Sequence, residues 1–552
     1  MTPPRRRAPA AAAASALILS VPLARAAPPV AEYFHPAGGR AGTTVAVTVG
    51  GKFERWPVQA WASHAGIKVE PAAEKGKLNV TIDNAVPAGP HLLRLHDAEG
   101  PSAVRVFVVG TAREAAEAEP NDEAARAQAV EAGPGAAPVV VNGRLEKSGD
   151  VDSYAVKLDA GQWLTAALAG RRLGSPMDPL LHLCDSAGNP LAFAHDGLGL
   201  DPLLVYRAQE AGTYVVRVAA FKHPPAADVK LAGEPEDVYR LTLGHTPPVR
   251  YAIPAGVRRG AKGTVRLFAW DGGEVGTREV DATGATGESI GLPADGCDLI
   301  LPVELGDGPE LSEAEAASQG AAPLAVPSAV TGRVGRAGEE DVYPFAAKKG
   351  DRVVLTLGAA SLACPMDAVV RVEGEAGKPL ASNDDARGTA GDARLDWVAP
   401  ADGTYRAVVS DLFGNGGHEY VYRLALRGPS LEVVATVDAD EYKLAAGKTV
   451  VVPVKVTRPE GVGGAMVVVA TGLPPGVSGT AAEVPDKGGA VTLTLSAAPD
   501  AKPAAGPVRV TVVSADPSRP AAWAAASSLG REAGQELVAR TPAVWLTVLP
   551  AK

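Results

Sequence analysis

The sequence predicts an all-β protein of tandem β-sandwich modules arranged as beads on a string, and three observations carry that prediction. A domain-length segment recurs at i+189, as Gly143/Gly332, Asp152/Asp341 and Leu191/Leu380 show. Apolar residues alternate with polar ones at period two, as in Val45, Val47, Val49 and again in Val450, Val452, Val454, Val456, which is the signature of half-buried strands. Gly 62 and Pro 47 in 552 residues supply turns at short intervals, with none of the strand–helix alternation that a parallel α/β core requires. A chain of this length exceeds one hydrophobic core and divides into several domains.

From the N-terminus, residues 1–26 have the form of a signal peptide: Arg5, Arg6 and Arg7, an apolar run from Ala8 to Leu23, and the small-x-small site Ala24-Arg25-Ala26. Export to the periplasm, the cell surface or the medium is the expectation. No later stretch of about 18 apolar residues follows, so no membrane span is expected. Residues 27–112 and 247–312 form a short repeat, with Tyr33 to Gly42 (Pro36-Ala-Gly-Gly-Arg-Ala-Gly) matched by Tyr251 to Gly260 (Pro254-Ala-Gly-Val-Arg-Arg-Gly), each followed by alternating apolar residues. Residues 113–246 and 313–430 form the long repeat. Val141-Asn-Gly-Arg-Leu, Gly149-Asp-Val-Asp-Ser-Tyr154, Pro176-Met-Asp178 and Gly212-Thr-Tyr214 return as Val330-Thr-Gly-Arg-Val, Gly338-Glu-Glu-Asp-Val-Tyr343, Pro365-Met-Asp367 and Gly403-Thr-Tyr405. In each copy Gly-Thr-Tyr enters a central strand, and Gly374 to Asn383 reads as a hairpin. Residues 431–552 read as a fifth sandwich, with the Ala-rich stretch Ala521 to Leu529 as a helical turn or inserted loop.

Charge and cysteine usage narrow the function. With 53 basic and 63 acidic residues the net charge is -10, which argues against nucleic acid or an anionic membrane as partner. Cys184, Cys297 and Cys364 are odd in number and lack C-x-x-C spacing, so buried free thiols are expected.

Familiar catalytic patterns fail on their surroundings. Gly287-Glu-Ser289-Ile-Gly291 has nucleophile-elbow spacing, yet Pro293 and Gly296 forbid the helix that must follow, so a plain β-turn is expected. His418-Glu419 opens an H-E-x-x-H pattern that Tyr422 breaks in a strand-like segment, and no Walker loop is present. The acidic string Glu117-Ala-Glu119-Pro120-Asn121-Asp122 differs. In an extended segment Glu117 and Glu119 share a face, Pro120 favours that backbone at Glu119, and Asn121 and Asp122 add turn oxygens. Asp150 and Asp152 converge on the same point if their strand lies alongside. Carboxylates gathered this way suit a hard cation taking six to eight oxygens, and the alternative is a solvated acidic linker between domains.

That acidic string, the following Gly-Asp-Val-Asp-Ser-Tyr and the late Ala-Gly-Thr-Tyr resemble the bacterial pre-peptidase C-terminal domain, a jelly-roll sandwich of secreted peptidases that includes the collagen-binding modules of bacterial collagenases. The resemblance covers 113–246 and, with weaker N-terminal features, the copy from 313. The modules ahead of each copy resemble IPT/TIG-type immunoglobulin-like domains. The tail, with Gly472-Leu-Pro-Pro-Gly476, resembles Ig-like domains of bacterial surface proteins. The resemblance implies a non-catalytic accessory module that binds calcium near its start, through Glu117, Glu119, Asn121, Asp122, Asp150 and Asp152, in the first copy only.

The expected function is therefore non-catalytic binding, adhesion or spacing at the cell envelope or outside the cell, toward a protein or polysaccharide. The alternatives are an accessory or targeting subunit of a secreted peptidase and, third, a secreted hydrolase.

Overall fold

The computed structural model describes residues 26–551 except 132–136, 223–229, 286, 294–299, 321, 387–390, 518, 520, 528–530, 533–534 and 537–539. The expected signal peptide and Cys297 lie outside the described residues, save Ala26. Among the described residues the chain is β-strand with a single α-helix, Glu313–Ser318, and short 3-10 turns. No helix there is long and apolar enough to cross a membrane.

Up to residue 427 the strands pair into sheets that face one another in twos, whereas residues 434–549 join eleven strands in one continuous sheet around a single core. Residues 30–110 give one sheet of Val30–His35, Thr44–Lys52, Lys77–Ile82 and Ile67–Pro71, and a second of Gly38–Arg40, Arg105–Gly110, Gly89–Asp97 and Gln59–Ala62. Their inward positions, Phe34, Val47, Leu78, Val80, Leu95 and Phe107, form the core between them. Residues 249–306 repeat the plan with three strands in each sheet.

The two long copies have one topology. In the first, Asp152–Leu158, Gly212–Lys222, Met177–Asp185 and Pro190–Ala194 are neighbours in that order. In the second, Asp341–Ala347, Gly403–Asp411, Ala368–Glu373 and Pro379–Asn383 follow the same order. The Gly-Thr-Tyr strand is thus interior in both, and Glu373 meets Pro379 across the expected hairpin. Each opposite sheet opens with a parallel strand: Arg113–Ala116 beside Val139–Arg144, and Glu310–Ser312 beside Ser328–Arg333. The second sheet thus begins just ahead of 313.

Two local expectations are revised, and one segment departs from its counterpart in the first copy. Ala522–Ser527 is a strand parallel to Val434–Val437 and not a helical turn or loop, because Ala524 and Ala526 alternate inward and are small enough to pack on the core. Glu313–Ser318 is helical where the first copy has its acidic turn. Ser312 accepts from the Glu315 amide while Glu315 reaches back to the Ser312 amide, a reciprocal cap, and no proline follows Glu315 to oppose the helix. Ser289 opens the strand Ser289–Pro293 rather than standing in a turn, which leaves no strained elbow around its hydroxyl.

The beads are joined by buried joints. Ala37, Leu92, Val104 and Val106 pack on Leu173 and Val238 at the first joint, and Tyr251 and Ala255 pack on Leu362, Cys364 and Val421 at the equivalent later one. Beside the first, Arg240 grips Glu114 through two bonds of 2.9 and 3.0 Å, and beside the second Arg423 grips Glu310 at 2.6 and 3.0 Å. The chain also folds back on itself, because Arg94 pairs with Asp440 and lies 5.6 Å from the Trp545 ring centroid.

Candidate metal centre

The six residues singled out in the sequence converge. Glu117 continues the edge strand past Ala116: its amide donates to Asn142 O at 3.0 Å and its Oε2 accepts from Arg144 N at 2.7 Å. Gln128 holds the next residues, donating to Ala116 O and accepting from Ala118 N, both at 2.9 Å. The chain then turns at Pro120, Glu119 Oε2 accepts from Asn121 N at 2.9 Å, and Asn121 O accepts from Ser153 N at 3.1 Å. That last bond brings the acidic turn against the segment bearing Asp150 and Asp152.

The carboxylates form two overlapping groups, Glu117/Glu119/Asp152 and Glu119/Asp122/Asp150, within each of which one oxygen per residue lies within 4.8 Å of the others. Glu119 belongs to both. Asn121, Asp150 and Asp152 are fully buried. The Asn121 side-chain amide has one end 3.1 Å from Asp152 Oδ1 and 3.2 Å from Glu119 Oε2. As the NH2 end it donates to both carboxylates; as the oxygen end it faces two carboxyl groups, an arrangement that a proton on one of them or a cation between them would favour.

The electrostatics are uncompensated in the same place. Among the described residues Glu117 Oε1, Asp122 Oδ1 and Asp150 Oδ1 are buried and accept no hydrogen bond from a nitrogen or hydroxyl donor, although Asp150 Oδ1 lies 3.4 Å from Lys147 Nζ. The Lys147 side chain is largely exposed and also lies 3.5 Å from Asp122 Oδ2, so it neutralises the outer group only through a solvent-screened charge. Burial and the neighbouring acid push Asp152 up to about 9, and burial pushes Glu117 up to about 7. Buried carboxyls displaced this far need either protons or a positive charge among them. The donor set, five carboxylates and an amide, is the oxygen-only chemistry of a hard cation.

Behind the acids stands a relay whose Tyr154 enters the sequence reading only as part of a repeat string. Tyr239 donates to Asp152 Oδ2 at 2.5 Å, and the Tyr154 hydroxyl meets that of Tyr239 at 2.5 Å. The second copy keeps this relay: Tyr422 donates to Asp341 Oδ2 at 2.7 Å and meets Tyr343 at 2.6 Å. Glu313 and Glu339 also keep backbone partners there, from Arg333 N at 3.2 Å and Gly335 N at 2.8 Å. What is missing is the turn, since Glu315 is occupied as a helix cap, and among the described residues carboxylates gather in threes only in the first copy.

The remaining candidates have structural roles. His418 and Glu419 lie in the turn before Val421–Arg427, where Glu419 pairs with Arg250 at 2.8 Å. Cys184 and Cys364 are free and buried as expected. Trp397 is core, packed on Phe345 and Tyr405, while Arg207, Arg250 and Arg509 lie over Trp163, Trp270 and Trp523.

No family model matches the chain, and no curated protein matches it. Among solved structures, Escherichia coli alpha-2-macroglobulin activated by porcine elastase aligns at 10% identity and TM-score 0.14 over 94% of this chain and 53% of that one. A Salmonella alpha-2-macroglobulin mutant aligns at 10% identity and TM-score 0.15, over 97% and 48%. A Clostridium perfringens M60 catalytic domain with two CBM51 domains aligns at 11% identity and TM-score 0.14, over 69% and 48%. The chain spans about half the length of these structures, and superpositions at such TM-scores carry no argument.

Proposed function

We propose that this is an exported, non-catalytic binding or spacer protein whose first long sandwich, residues 113–246, is a calcium-stabilised module of the kind the pre-peptidase C-terminal resemblance implies. The observation that supports it is the convergence of Glu117, Glu119, Asn121, Asp122, Asp150 and Asp152, with Glu117 Oε1, Asp122 Oδ1 and Asp150 Oδ1 buried and without a nitrogen or hydroxyl donor among the described residues. A cluster with several anionic oxygens on a partly irregular backbone suits calcium better than magnesium, which demands tighter octahedral geometry and keeps its waters. The bound cation would supply positive charge and cross-link the 117–122 turn to the 150–152 segment. Glu117, Glu119 and Asp152 would hold it on one side and Asp122 and Asp150 on the other, with the Asn121 amide turning its oxygen inward.

The ligand of the whole protein on this reading is an envelope or extracellular protein or polysaccharide. Calorimetric titration of the full chain with calcium, after chelation, tests the cation. Saturable binding is expected, and its absence overturns the reading. Affinity capture from an envelope fraction tests the partner: recovered glycan or matrix protein supports adhesion, and a recovered peptidase moves the assignment to an accessory subunit.

A further inference from the structure

We propose that Tyr239 is the positioning residue of the cation site, and that its hydrogen bond to Asp152, backed by Tyr154, aims the carboxylate at Glu117, Glu119 and Asn121. The inference rests on the cation reading above.

Asp152 and Tyr239 come from opposite sheets. Asp152 opens Asp152–Leu158, Tyr154 follows on the same face, and Tyr239 lies in Val238–Gly244. All three are fully buried, so the orientation of Asp152 is set away from bulk solvent. The direction of the relay follows from chemistry. A carboxylate only accepts, so Tyr239 donates to Asp152 Oδ2, and the Tyr239 oxygen is then free to accept from Tyr154. Such a chain polarises each member and strengthens the terminal bond. With Oδ2 engaged, Oδ1 is the oxygen left facing the Asn121 amide at 3.1 Å. A carboxylate fixed by an outer partner is a better ligand than one free to rotate.

The room for the relay is provided by Gly143. It pairs with Tyr239 across the sheet, and a Cβ there would fall 2.2 Å from the ring's Cζ and hydroxyl oxygen. Gly332 provides the same room for Tyr422, at 2.4 Å from its hydroxyl. The scaffold is therefore duplicated while the ligand turn is not, and the molecule carries its own control. Tyr422→Phe removes the same buried bond, with the same structural cost, from a copy that lacks Asn121 and Asp122.

The test is calorimetric titration of the full chain with calcium chloride for wild type, Tyr239→Phe and Tyr422→Phe at one neutral pH. Loss of an outer partner weakens metal binding by roughly 10–100-fold, so Tyr239→Phe is expected to raise the calcium Kd at least about tenfold and Tyr422→Phe to leave it unchanged. Wild-type affinity in Tyr239→Phe overturns the proposal while leaving the cation site standing. Equal weakening in Tyr422→Phe also overturns it, because the effect would then be general destabilisation. A wild type that binds no calcium overturns this proposal and the cation reading together. Should Tyr239→Phe fail to fold, Tyr154→Phe removes only the backing bond, and a loss of affinity there, absent in Tyr343→Phe, decides the same question.

Discussion

Glu119 is the carboxylate common to both acidic groups, so Glu119→Gln is the sharpest single perturbation of the site. The amide oxygen of Gln can still accept from Asn121 N, the 2.9 Å bond that shapes the turn, so the fold is retained while one anionic oxygen leaves each group. A cation that binds only the folded state at about one hundred times its Kd stabilises it by about 2.7 kcal/mol. For a unit of about 130 residues, at about 2.1 cal/mol/K per residue, the unfolding entropy is roughly 280 cal/mol/K, and the stabilisation becomes a rise of about 10 °C in the melting transition of that unit. Differential scanning calorimetry of the full chain with calcium, and again with chelator, reads this directly. One transition should move in wild type and none in Glu119→Gln. The control is Glu313→Gln, whose carboxylate accepts from Arg333 N in the second copy; its calcium-dependent rise should equal that of wild type. A full rise in Glu119→Gln, or a rise lost equally in Glu313→Gln, would refute the assignment of the cation to the 117–122 turn.

The second copy makes a pH prediction. Burial pushes Asp341 up to about 6, above the 3.8 of an unfolded carboxyl, so the folded form resists its ionisation. Its contribution to stability is fully present below about pH 3.8 and is lost as the pH rises to about 6. Asp341→Asn, which can still accept from Tyr422, should therefore stabilise the protein by ~2 kcal/mol at pH 8 and leave it nearly unchanged at pH 3.5, as read by urea unfolding; equal effects at both pH values would refute the argument. Arg240→Ala leaves Glu114 and the buried Asn142 side chain without their guanidinium and should cost about 3–5 kcal/mol by chemical denaturation; a loss below about 1 kcal/mol would mean that water takes over those bonds. Limited trypsin digestion should cut first after Arg427, because residues 428–432 are exposed and form no strand, and an initial cut after Arg113, inside a paired strand, would contradict the buried joint.

How far the sequence could be read depended on how local the determining signal is. Val45, Val47 and Val49, or Val450 to Val456, declare strands by themselves, because period-two alternation has one structural solution when one face is buried. The convergence of the six candidate residues was legible for a similar reason: the spacing of Glu117 and Glu119 suggests one shared face, and repeat arithmetic aligned Asp150 and Asp152 with Glu339 and Asp341. Tyr239 was not legible as part of the site, because its partner is 87 positions away and only the packing of two sheets brings them together. The helix at Glu313–Ser318 is announced in the sequence only by Ser312 and Glu315, which spell a capping box, a signal that the repeat with the first copy obscures. Ala522–Ser527 was misread because alanine favours helices, and burial of Ala524 and Ala526 overrode that weak preference.

The joints show what was duplicated. Had the short and long modules been copied separately, only their interiors would need to match. Instead Ala37 and Ala255, Leu173 and Leu362, and Val238 and Val421 occupy equivalent places at the two joints. The glycines that admit the arginine are equivalent too: a Cβ at Gly38 would lie 2.6 Å from Arg240 Nη1, and one at Gly256 2.9 Å from Arg423 Nε. The repeated object is therefore a two-module pair with a buried seam. Within that shared frame the copies differ at the edge beside the relay, where one has the Glu-Pro-Asn-Asp turn and the other a capped helix. Because the relay persists in both, the tyrosine–aspartate bond belongs to the shared frame, and the acidic turn is what the first copy adds to it.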